Sequence, residues 1–199
     1  MEKLLYTIAG SVITLIITGL IKHWEKQENL KKQTQTLLQF IDNIIIKYLT
    51  ISEKECNQIL LDIDKDELFD SREMYVSPML NKNIFDFFEK KELMKIFSYC
   101  KQNSLVELYH NFYEIDFLQQ RLPIIILEKY TEKILDHFDG KKCESDTFET
   151  RNNCQYYQQQ KRLFTREVEM RKNHTKALIE SFIQIKTELK NIDELNDDE

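Results

Sequence analysis

Residues 4–21 carry no charged side chain. Lys3 and Lys22 bound this apolar run, and Tyr6 and Trp24 stand near its two ends, where amphipathic rings favour a membrane interface. In helical conformation the run rises about 27 Å, close to the hydrocarbon thickness of a bilayer. The Thr18-Gly19-Leu20-Ile21-Lys22 stretch offers no small-residue cleavage pattern, so a retained span is expected rather than a signal peptide. The pattern therefore predicts a transmembrane anchor over 1–21 and a helical domain over 22–199 with an acidic, frayed tail at 191–199.

Beyond the anchor nothing breaks the helical pattern. Residues 22–35 are polar and helix-forming, which continues the anchor helix out of the bilayer. Leu30, Leu37, Ile41, Ile44, Tyr48 and Ile51, with Thr34 filling one place, form a three-four seam that predicts helix to about Leu61. This coiled-coil-like seam is expected to pack mainly within its own bundle. Ser77-Pro78 resembles an N-cap followed by proline at the first helical position, and a helix is expected from there, or from Asn83, to about Lys101. Ser104 and Glu107 have capping-box spacing. The helix they open continues a stripe through Leu108, Phe112, Ile115 and Leu118 to a kink or break at Pro123. The stripe resumes through Ile126, Tyr130, Ile134 and Phe138 as far as Gly140. Asp146 and Glu149 are expected to open a last helix to about Lys190, with apolar positions at Leu178, Phe182, Ile185 and Leu189. The expected class is all-α: one N-terminal transmembrane helix followed by a cytoplasmic antiparallel bundle of long helices.

Composition sharpens this picture. Three glycines and two prolines in 199 residues leave few sharp turns, hence few, long helices. The lysine excess after the span (Lys22, Lys26, Lys31, Lys32) outweighs Lys3 before it, which places the soluble part in the cytoplasm and the N-terminus outside an inner or plasma membrane. The scattered Cys56, Cys100, Cys143 and Cys154 suit free thiols in a reducing compartment. A formal net charge of −6 argues against a surface that grips nucleic acid throughout.

Four segments invite a chemical reading. In the span, Thr7, Ser11, Thr14 and Thr18 share one helix face with Gly10 beside them, a small-residue face suited to transmembrane association. The competing reading is that each hydroxyl bonds the carbonyl one turn back. Residues 62–73 place acidic side chains at positions one, three, five, nine and twelve, namely Asp62, Asp64, Asp66, Asp70 and Glu73. Over these twelve residues the chain resembles an EF-hand calcium loop. It departs from one at Glu67, where the turn requires glycine, and at Ser77-Pro78, which interrupts the exit helix, so a solvated acidic connector is expected. Lys161, Arg162, Arg166, Arg171, Lys172 and Lys176, preceded by Tyr156 and Tyr157, are candidate phosphate contacts on the last helix, against the plainer reading of a wet helix face. His23, His110, His137 and His174 make no metal-ligand pair, and no phosphate-binding glycine loop or nucleophile elbow is present. No catalytic residue, cofactor or metal is expected. The expectation is a membrane-anchored interaction protein, acting as scaffold, sensor or effector, whose partner is a second copy or another membrane or cytoplasmic protein. The alternative is a membrane-tethered binder of nucleic acid or anionic lipid through the basic last helix.

Overall fold

The computed structural model describes residues 2–64, 88–98, 100, 103–120, 129–130, 132–133 and 154–195, with side chains described between residues 14 and 191. Every regular element among them is helical. The elements are α1 (Glu2–Phe40), a π-helical stretch (Ile41–Ile46), α2 (Lys47–Asp64), α3 (Lys90–Phe97), α4 (Ser104–Gln120) and α5 (Gln155–Leu195). No glycine or proline lies between Gly19 and Pro78, and α1, the π stretch and α2 form one continuous helical path. Phe40 and Lys47, at its two joins, both hold right-handed helical dihedrals.

The π stretch changes which residues the seam buries. A π turn closes its hydrogen bonds over one more residue than an α turn, so every position after it is delayed by one place. Before it, Leu30, Thr34, Leu37 and Ile41 are buried with the expected spacing. After it, Ile45, Leu49, Ser52, Cys56, Ile59 and Ile63 face inward and Tyr48 stays buried. The expected seam residues Ile44 and Ile51 are displaced: Ile44 is half-buried and Ile51 is 43% exposed.

The remaining helices run antiparallel to their neighbours. Gln33 of α1 donates to Glu92 of α3 at 2.8 Å, and Phe40 meets Phe88, just before α3, edge to face at 6.2 Å. Asp42 pairs with Lys186 of α5, and Ser52 bonds Arg171 one end-to-end step further along. Between α4 and α5, Asn111 donates to Ser181 at 2.8 Å, and His174 Nε2 lies 2.9 Å from Glu114. One core joins Leu37, Ile41 and Ile45 to Leu93, Ile96, Leu108, Phe182 and Ile185, with Phe112 and Phe182 in edge-to-face contact at 5.6 Å. The seam is thus spent inside the bundle. A second cluster, Cys56, Ile59, Ile63, Tyr130, Phe164 and Val168, closes the far end.

Two expected boundaries shift, while α4 opens at Ser104 as expected. Phe88 and Glu89 lie outside any helix, so no helix runs unbroken to 101. Instead α3 begins at Lys90, because the Glu89 carbonyl accepts the Glu92 and Leu93 N–H groups while the Glu92 carboxylate accepts the Glu89 N–H at 3.0 Å. Ser104 and Glu107 reach across to α5, where they bond Glu188 and Ser181, while the Asn103 carbonyl accepts the Glu107 N–H at 2.9 Å. The last helix continues to Leu195, through part of the acidic tail. The expected caps at Ser77-Pro78 and at Asp146 and Glu149, and the break at Pro123, lie outside the described residues.

Residues 14–26 are exposed on every side of α1, and the bundle closes around this helix only from Leu30 onward. Among the described residues no helix is long and apolar enough to cross a membrane. Residues 4–13, the first part of the expected span, lie outside the described side chains.

Candidate functional site

Two places gather polar side chains from separate helices. The first is a cleft of about 630 Å³ between α1 and α3, just past the apolar run. Lys22, His23, Glu25, Lys26, Gln27, Leu30 and Gln33 line it from α1, and Lys95 and Ser98 from α3. It forms because α3 runs antiparallel to α1: the Gln33–Glu92 bond fixes one level, and Lys95 and Ser98 then fall beside the polar stretch of α1 that follows its apolar run. Among the described residues Lys22, His23, Lys26 and Lys95 have no carboxylate within ion-pair distance, and Glu25 is the one acidic residue in the wall. The Gln27 side-chain oxygen is buried at the cleft with no partner among the described residues.

The second place is the junction of α2, α4 and α5. Arg171 is 4% exposed; its guanidinium donates to the Leu118 carbonyl and, at 3.0 Å, to the Ser52 hydroxyl. The Tyr48 hydroxyl and the Cys56 thiol lie in the same field, and burial holds both groups above their ordinary range while the Arg171 charge opposes the shift. Arg171 therefore serves as a three-helix tie, its guanidinium turned into the junction. Its buried placement follows from the stripe on α5. Phe164, Val168, Thr175, Leu178 and Phe182 are all buried, and Arg171 occupies the inward position between Val168 and Thr175.

The other candidate phosphate contacts do not converge. Arg162, Arg166 and Lys176 are exposed, and Lys161 and Lys172 are half-buried, spread over several turns of α5. Tyr157 is buried at 2% exposure and offers no face for stacking, whereas Tyr156 is half-buried. In the apolar run, the Thr18 hydroxyl bonds the Thr14 carbonyl at 2.7 Å, which is the local alternative to association, while Thr7, Gly10 and Ser11 lie outside the described side chains. Of the calcium-loop resemblance, Asp62, Ile63 and Asp64 belong to α2, with Ile63 in the core, and the rest lies outside the described residues. Among the described residues no group of three metal-ligating side chains converges.

Comparison with protein-family models, with curated proteins and with solved structures gave no match. The functional reading rests on the chain's own chemistry.

The three described cysteines, Cys56, Cys100 and Cys154, are free thiols. Burial pushes Cys56 up to about 11, with Arg171 opposing, and pushes Cys100 up to about 11, with Glu188 adding to the rise. Both are protonated near neutrality and are poor nucleophiles there. The fold keeps the Cys56 proton where an unfolded cysteine, with its ordinary value of 9.0, has lost it. Its stabilising contribution is full below that value and is lost as pH rises toward about 11. A shift of this size corresponds to about 2–3 kcal/mol. Thermal melts across this window should show wild-type stability falling, with a shallower slope for Cys56→Ala. Parallel slopes would contradict the assignment.

Proposed function

We propose that the chain is a single-pass membrane protein whose N-terminal helix anchors a cytoplasmic helical domain that works by binding another protein or a second copy of itself. The observation that carries this reading is the bare apolar surface at the start of α1. Leu15, Ile16, Ile17, Leu20 and Ile21 are each more than half exposed and point in several directions around the helix, with Trp24 at 77% exposure where the polar sequence begins. A helix apolar all round, with nothing packed on it, is stable where lipid covers it. The Cβ of any residue placed at Gly19 would meet open space, so this face is equally free for another helix. Lys22 and Lys26 directly after the run support the cytoplasmic placement of the domain.

Membrane extraction tests the anchor. Wild type is expected to stay in the pellet after alkaline carbonate washing. Val12→Lys combined with Ile13→Lys should move the protein to the supernatant, since each charge at mid-span costs about 2.5–3.5 kcal/mol. A periplasmic or extracellular reporter fused after Glu199 should be silent. Wild type in the supernatant overturns the anchor, and an active reporter overturns the orientation.

A further inference from the structure

We infer that the α1–α3 cleft binds the phosphate of an anionic lipid headgroup, a site separate from the basic face of α5. The inference rests on the anchoring proposed above, which sets the height of the cleft. With Ile21 at the end of the hydrocarbon, Lys22 to Lys26 rise through the next 7 Å or so of helix. Headgroups occupy about 5–8 Å per leaflet, so these side chains stand among the phosphates.

Lysines next to a span would by themselves give only diffuse attraction to a charged surface. What makes this a cleft is Lys95, delivered from another helix to the opposite wall about one turn beyond Lys26, from where its flexible stem reaches back toward the lysines of α1. Lys22, His23 and Lys26 on one wall and Lys95 on the other outnumber Glu25, the one carboxylate between them. Ammonium groups on flexible stems suit phosphate as point charges, and their stems lie along apolar surface while the charges reach the headgroup. Leu30, 7% exposed, floors the site with apolar surface on the bundle side. Met94, 56% exposed beside Lys95 on α3, adds apolar surface near the bilayer. A zwitterionic headgroup brings its own ammonium into a cationic site, so an anionic headgroup is preferred.

Trp24, the only tryptophan in the chain, stands beside this site and reports on its lipids. The full chain is reconstituted into nanodiscs of phosphatidylcholine with a minor fraction of phosphatidylglycerol, and one lipid at a time carries acyl-chain bromines that quench the tryptophan. At equal mole fraction, brominated phosphatidylglycerol is expected to quench as though enriched about fivefold or more around Trp24, the partition that one lysine contributes near an anionic surface. Lys26→Gln with Lys95→Gln should bring the two lipids to near parity, whereas Lys176→Gln, on α5, should leave the preference unchanged. Quenching by neither lipid overturns the anchor and the inference with it. Equal quenching by both in wild type overturns the inference and leaves the anchor standing, as does a preference that survives the double substitution. Millimolar inorganic phosphate should leave the preference intact; its loss would show that free phosphate, not lipid, is the ligand and overturn the assignment.

Discussion

Ile45→Asp is expected to unfold the helical domain, and Ile51→Asp to leave it folded. Ile45 is fully buried in the main core, whereas Ile51 is 43% exposed. Losing a buried isoleucine side chain costs about 2–5 kcal/mol, and an unpaired carboxylate in its place adds several more. Together these approach the 5–15 kcal/mol that holds a typical domain together. At Ile51 the carboxylate reaches water, and the cost is that of a surface substitution, within about 0.5 kcal/mol. Circular dichroism melts of the full chain in mild detergent read both variants. The opposite ranking would mean that the seam runs straight through 44 and 51, without the one-residue delay that the π stretch introduces.

Arg171→Ala should lower stability by about 2–5 kcal/mol, because each of two buried acceptors is left without its donor at a cost of about 1–3 kcal/mol. The Leu118 carbonyl and the Ser52 hydroxyl lose their donor at a junction of three helices, and a cavity opens where the long side chain lay. Arg166→Ala, at an exposed position on the same helix, should change stability by no more than about 0.5 kcal/mol. Urea unfolding of the two variants separates them, and equal midpoints would refute the tie. The result also governs how binding experiments are interpreted, because a loss of phosphate binding on changing Arg171 would report unfolding. Charge reversal to probe the α5 surface therefore belongs at Arg162, Arg166 and Lys176.

The helical class and the long first and last helices were legible from scarce glycine and proline and from apolar periodicity. The first half of the seam was legible too, since Leu30, Thr34, Leu37 and Ile41 follow ordinary α-helical spacing. Its second half was legible only at Tyr48, because the π stretch delays the positions after it by one place and apolar spacing alone does not reveal a π turn. Arg171 could have been placed by extending the Leu178–Phe182 stripe toward the N-terminus, which puts Val168, Arg171 and Thr175 inward. Counting positive charge instead grouped it with its exposed neighbours. Ser104 and Glu107 have capping spacing, yet tertiary contacts with Glu188 and Ser181 take their side chains. The α1–α3 cleft was half legible. Lys22 and Lys26 stood out beside the apolar run, but Lys95 enters only through the antiparallel docking of a short helix distant in sequence.

The unbroken passage of α1 into the bundle also determines how far the domain can reach. Leu30, the first buried residue among those whose side chains are described, lies about 13 Å of helical rise beyond Ile21. A flexible tether would let a domain sweep a hemisphere and sample partners from bulk solution. If the proposed anchor sits in a bilayer, a stiff rod this short confines the domain to a thin layer against it, with its orientation tied to the rotation of the anchor. Partners held in the same membrane then meet it at an effective concentration set by two-dimensional density, while dilute soluble partners gain nothing from the tether. Inserting a Gly/Ser segment between Ile21 and Leu30 would release that geometry while keeping both ends chemically intact.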